Sequence, residues 1–117
     1  VLNNYSYSLA LRKQHLALAR SMSRKLVKAY PGHAAYLDTY AWVLYQSGYY
    51  RQAKAYLEEA LAAAPTTHSG TIREHYGDTL YQLGEVQAAL TQWAEAQGQP
   101  GASDALPQKL EIQQLIP

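Results

Sequence analysis

Leu37, Tyr40, Ala41 and Leu44 recur at i, i+3, i+4 and i+7. That spacing puts four apolar side chains on one stripe of an α-helix. A second stripe follows in Tyr50, Ala53, Leu57, Ala60 and Leu61, and stops at Pro65. The pair returns further on, as Tyr76, Gly77 and Leu80 and then Val86, Ala89, Trp93 and Ala96. A looser copy opens the chain, with Leu2, Tyr5, Ser6 and Leu9 followed by Leu16, Ala19, Ser23, Leu26 and Val27, ending at Pro31. After the turn cluster Gly98-Gln99-Pro100-Gly101, a last helix is predicted from Ser103 or Asp104, with Pro107 tolerated in its first turn. Leu106, Leu110, Ile112, Leu115 and Ile116 give it an apolar side.

The copies are related by more than hydrophobicity. Leu44-Tyr45-Gln46-Ser47-Gly48 reappears 36 residues later as Leu80-Tyr81-Gln82-Leu83-Gly84, and Ala53 and Ala89 each follow their Gly by five residues. Tyr40 and Tyr76, Glu59 and Glu95, and Ala60 and Ala96 keep the same register. The substitutions are Ala41 to Gly77 and Leu57 to Trp93. An internal repeat of this period marks a stacked architecture in which each unit completes the core of its neighbour. Gly48 and Gly84 are read as helix stops, since the residue past a helix end often needs positive φ. Ala19 to Ala53 and Pro31 to Pro65 are both 34 residues, so the step of 36 places a two-residue insertion at Thr66 to Gly70. The turn Arg12-Lys13-Gln14-His15 lacks a Gly and is about one residue longer than its counterparts. Gly77 costs its helix about 1 kcal/mol relative to Ala, which predicts close helix packing there.

A 34-residue helix-turn-helix unit with a small residue in its first helix, then Gly, Ala, a large apolar residue, Ala and Pro, resembles the tetratricopeptide repeat. The second copy carries this pattern in Leu37, Tyr40, Ala41, Leu44, Gly48, Tyr50, Ala53, Leu57, Ala60 and Pro65. The third carries it in Tyr76, Gly77, Leu80, Gly84, Val86, Ala89, Trp93 and Ala96, but has Arg73 where the family prefers Trp or Leu, and no Pro in register at its end. The first departs further, at Ser23 and Leu26. The resemblance covers residues 2 to 97. It implies an all-α, right-handed superhelical stack of about three repeats (approximately 1–31, 32–67 and 68–99) with a C-terminal capping helix at about 104–116. The stretches N-N-Y-S-Y-S-L-A and Y-L-D-T-Y-A-W-V-L-Y are similar to C-terminal repeats of larger bacterial repeat proteins. The chain starts without Met inside a predicted helix and reads as a piece of a longer protein, so a targeting signal upstream would decide between cytoplasmic and exported locations.

Composition narrows the chemistry. There are no cysteines, which removes disulfides, thiol catalysis and cysteine zinc sites. No apolar run is long enough to span a bilayer. Four histidines (His15, His33, His68, His75) show no metal-ligand spacing, and no Gly-rich phosphate loop is present. Glu58-Glu59 and the i, i+4 pair Glu74/Asp78 have no nucleophile beside them and read as solvated or peptide-facing. The sequence therefore predicts neither an enzyme nor a cofactor or metal site.

Two surfaces remain. The net charge is +1, yet six of the ten basic residues precede residue 30, where no acid occurs. Arg20, Arg24 and Lys28 recur at i, i+4, i+8 opposite an apolar stripe. This basic face, within residues 12–28, suits an anionic partner such as nucleic acid, a lipid surface or an acidic protein, or is an ordinary solvated face. Nucleic acid is disfavoured, because the aromatic interleaving of such binders is missing. The second surface lies on the first helix of each repeat: Asn3 and Tyr7, then Asp38, Trp42 and Tyr45, then Glu74, Asp78 and Tyr81. In the resembled family this face lines a concave groove for peptides or partner helices. Trp42, Tyr45 and Tyr81 are expected to be semi-exposed aromatics of the kind that form hot spots, or else to pack against neighbouring helices. Asp38, Glu74 and Asp78 would repel a free C-terminal carboxylate, so the expected partner is a neutral to basic peptide or protein. Self-association of an architectural segment is the competing reading.

Overall fold

The computed structural model describes residues 3, 5–7, 15–64 and 69–115. The expectations at Leu2, Leu9, residues 12–14, Pro65, residues 66–68 and Ile116 lie outside them. The described residues are helical with no strand, in the order α1 (Leu16–Ala29), α2 (Ala34–Gln46), α3 (Tyr50–Ala63), α4 (Gly70–Gln82), α5 (Val86–Ala96) and α6 (Leu106–Ile112). Residues 5–7 are also helical. The chain forms two compact halves, residues 1–63 and 64–117. In the first, α2 packs against α1 and α3; in the second, α5 packs against α4 and α6.

The repeated Leu-Tyr-Gln-x-Gly ends both first helices in one geometry. Gly48 has φ +86° and Gly84 φ +83°, in the left-handed region that side chains with a Cβ rarely occupy. At the first, the N–H of Tyr49 donates to Leu44 O (2.9 Å) and that of Gly48 to Tyr45 O (3.0 Å). At the second, Glu85 N–H donates to Leu80 O (2.9 Å) and Gly84 N–H to Tyr81 O (3.0 Å). These bonds satisfy carbonyls at the helix end that have no partner within the helix.

Packing follows the predicted stripes except at Tyr5, Val86 and Ile112, which are exposed. Ala19, Ala53, Leu57, Ala60, Ala89, Trp93 and Ala96 are wholly buried. α1 stops at Ala29, before Pro31 as expected, and the Ser23 hydroxyl returns its hydrogen bond to Ala19 O at 2.7 Å. Arg73, the departure from the repeat pattern, ties α4 to α5. Its Nη1 donates to Gln92 Oε1 (3.0 Å) and Glu95 Oε2 (2.8 Å). α6 starts at Leu106, two or three residues later than the sequence suggests, with Pro107 in its first turn.

The Gly77 expectation resolves into a specific contact. A Cβ at Gly77 would lie 2.5 Å from Trp93 Nε1 and 3.2 Å from Ala89 O. The indole occupies the space that a side chain would take. The second repeat has Ala41 and Leu57 at the equivalent positions, both buried. A larger residue on the second helix is thus matched by a smaller one on the first, which keeps interior packing close to full density. Gly77→Ala should therefore destabilise by about 1–3 kcal/mol through overpacking, despite the better helix propensity of Ala. In urea denaturation, adding Trp93→Leu should leave the double variant more stable than the sum of the single effects by about 1 kcal/mol. Strict additivity would show that the two positions do not share this space.

Candidate functional site

The residues predicted to share the first-helix face fall into two environments. In the N-terminal half, Tyr7 and Tyr45 are half-buried and pack against a core of Ala19, Trp42 and Val43. Trp42 and Tyr45 are stacked, with centroids 4.5 Å apart and planes 5° from parallel. Tyr50 meets Tyr45 edge-on at 5.3 Å. Asn3, one helical turn before Tyr7, is half-buried, and its Oδ1 is buried without a hydrogen-bond partner among the described residues. Asp38 lies one turn before Trp42 and is buried. Trp42 is 8% exposed, so the expectation of a semi-exposed ring there gives way to a buried one. α2 is buried over consecutive positions from Leu37 to Leu44, because α1 and α3 flank it. The accessible part of the aromatic group is therefore Tyr7 and Tyr45.

In the C-terminal half the acidic pair is occupied by the chain itself. Glu74 and Asp78 are 4% and 5% exposed, not solvated as the sequence suggested. Both hold the ammonium of Lys109, on α6. Lys109 Nζ donates to Glu74 Oε2 at 2.7 Å and to Asp78 Oδ1 and Oδ2 at 3.0 and 3.1 Å. Ser103 adds its backbone N–H to Glu74 Oε1 (2.6 Å) and its hydroxyl to Glu74 Oε2 (2.5 Å). The indole N–H of Trp93 donates to Asp78 Oδ1 at 3.0 Å, and the ammonium sits 5.9 Å above the Trp93 ring. Tyr81 stacks on the same indole at 5.8 Å and packs against the cluster of Trp93, Ala96 and Leu106.

The i, i+4 spacing of Glu74 and Asp78 produces this arrangement, since it aims both carboxylates at one point beside α4. Lys109 was not among the predicted site residues. A signal for it exists: Lys109 and Arg73 are the only basic residues after position 63, and Lys109 lies between Leu106 and Leu110 on the apolar side of its helix.

The two carboxylates titrate in opposite senses. Burial pushes Asp78 above its ordinary value, and attraction to Lys109 offsets only part of that. Burial also acts on Glu74, but hydrogen bonds from Lys109 and Ser103 outweigh it and hold that carboxyl below its ordinary value. Glu74 thus contributes stability that is present above its unfolded value and lost as pH falls through the folded one. Asp78 works the other way, because its folded form takes up a proton first and gains stability as pH falls through its raised value.

Elsewhere, His33 Nδ1 accepts the N–H of Tyr36 at 3.4 Å, and its ring stacks on Tyr36. His75 is buried, His15 is exposed at the start of α1, and His68 lies outside the described residues. Among the described residues no group of three or more His, Cys, Asp or Glu is placed to hold a metal ion. No described helix is long and apolar enough to cross a membrane.

No family model matches the chain, and no curated protein does. Among solved structures, the chain is similar to the tetratricopeptide repeat domain of Sgt2 from Aspergillus fumigatus. The TM-score is 0.80 with 21% sequence identity, over 96% of this chain and 74% of that one. The fold is therefore all-α and of the tetratricopeptide repeat type, as the repeat register implied.

The acidic pair yields two predictions. Lys109→Met leaves two buried carboxylates without their cation and should cost about 3–5 kcal/mol, seen as a lower urea midpoint. At pH 7, Glu74→Gln should cost about 2 kcal/mol, the scale of a hydrogen bond to a charged group, and Asp78→Asn clearly less. The asparagine keeps an oxygen for Trp93 and Lys109 while removing a charge that burial disfavours. Equal losses from the two amides would contradict the opposite titration of the pair.

Proposed function

We propose that the chain is a non-catalytic protein–protein interaction module, and that a peptide segment or partner protein lies along the first helices of its repeats. Within that face, Tyr7 and Tyr45 over Trp42 form the contact surface, and Glu74 and Asp78 serve the fold rather than the partner. The observation that carries this reading is the Trp42–Tyr45 stack. Tyr45 is half-buried, parallel to a buried indole at 4.5 Å and braced edge-on by Tyr50. A rigid aromatic with one apolar face and a polar tip offers contact area at little entropic cost. The partner proposed for this surface is the neutral or basic segment expected from the sequence.

Peptides selected from a random displayed library against the whole chain provide the test. Recovered binders should be neutral to basic. Tyr45→Ala should weaken them about thirty-fold, near 2 kcal/mol, while the far-ultraviolet circular dichroism stays helical. Selection that recovers no binder, or binders indifferent to both Tyr45→Ala and Tyr7→Ala, would refute the surface.

A further inference from the structure

The outer face of α1 is a run of cations with no carboxylate paired to it among the described residues. Residues 1–63 hold eight basic and three acidic residues, whereas residues 64–117 hold two and six. Arg24, Lys25 and Lys28 are exposed and form no ion pair with a described residue. Arg20, one turn before Arg24, lays its guanidinium 5.3 Å over the ring of Tyr49. Towards the start of the helix the same exposed side carries Leu18, 46% exposed, between small residues Ala17 and Ser21.

Three classes of anion could meet such a face, and its details separate them. A nucleic acid would gain from the charges, but the two exposed rings nearest them are already engaged, Tyr49 under Arg20 and Tyr30 against Tyr36 at 5.6 Å. A lipid surface needs an apolar face to sink into it, and here the large apolar residue is Leu18 alone. An acidic helix fits both features. Arg24 and Lys28 are spaced by four residues, about 6 Å along the axis, which matches carboxylates at the same spacing on a facing helix. The small residues beside Leu18 allow close approach and one apolar contact. The chain's other half shows this chemistry with the signs exchanged, where α4 grips one cation with carboxylates four residues apart.

We propose that the outer face of α1 docks an acidic helical segment of a partner protein. Its carboxylates, at four-residue spacing, meet Arg24 and Lys28, and an apolar residue covers Leu18. This surface is independent of the tyrosine contact proposed above.

The test uses the whole chain and a fluorescein-labelled helical peptide with Glu at every fourth position and one Leu in register. A scrambled peptide of the same composition, a thymidine oligonucleotide and phosphatidylserine vesicles serve as competing probes. The designed peptide should bind at least ten-fold more tightly than the scrambled one and weaken with salt. Arg24→Glu with Lys28→Glu should reduce binding at least ten-fold, and Leu18→Glu should do so independently. All three positions are exposed, so an unchanged thermal melt shows that the variants stay folded. Equal binding of the scrambled peptide, tighter binding of the oligonucleotide or vesicles, indifference to the charge reversals, or no binding at millimolar peptide would each overturn the proposal.

Discussion

The ammonium of Lys109, enclosed by two carboxylates and lying over an indole, fixes how the C-terminal half closes. α6 is only seven residues long, too short to be stable by itself. Its place is set by a cation that must reach Glu74 and Asp78, and by Leu106 entering the cluster of Trp93 and Ala96. A buried ion pair adds little net stability over an apolar alternative, because desolvating the charges offsets their attraction. What it supplies is position, since any shift of α6 strands three charges in the interior. Gly77 belongs to the same chain of dependence: without its missing side chain the Trp93 ring could not lie where it does, and Asp78 would lose its indole donor.

The two repeats solve one packing problem in different ways. Ala41 with Leu57 makes an apolar joint, while Gly77 with Trp93 makes a joint that carries a polar group into the core. That group lets the third repeat engage a helix with a lysine. The second repeat has Trp42 where the third has Asp78, and presents an aromatic stack instead. Equivalent positions on one scaffold thereby become a structural socket in one half and a proposed contact surface in the other.

The helical repeat was legible because it rests on periodic, local signals. The alanine stripes, the glycine stops and the 34-residue spacing each report a constraint that neighbouring residues enforce. The candidate site was legible only in membership. Asp38, Trp42, Tyr45, Glu74, Asp78 and Tyr81 do lie on the first helices, but their exposure depends on helices far along the chain. Glu74 and Asp78 looked solvated because the residue that buries them lies 31 to 35 positions away. No local pattern encodes that distance. At Trp42 the sequence leaves exposure and packing open, and packing prevails because its stripe is the second apolar face of a helix flanked on both sides.

The separation between socket and plug also orders events during synthesis. At 5–20 residues per second, the 31 residues from Asp78 to Lys109 take roughly two to six seconds to make. Until Lys109 is made, neither carboxylate has the cation that holds it in the folded structure. The core of the C-terminal half is therefore complete only once α6 is present to supply Lys109 and Leu106.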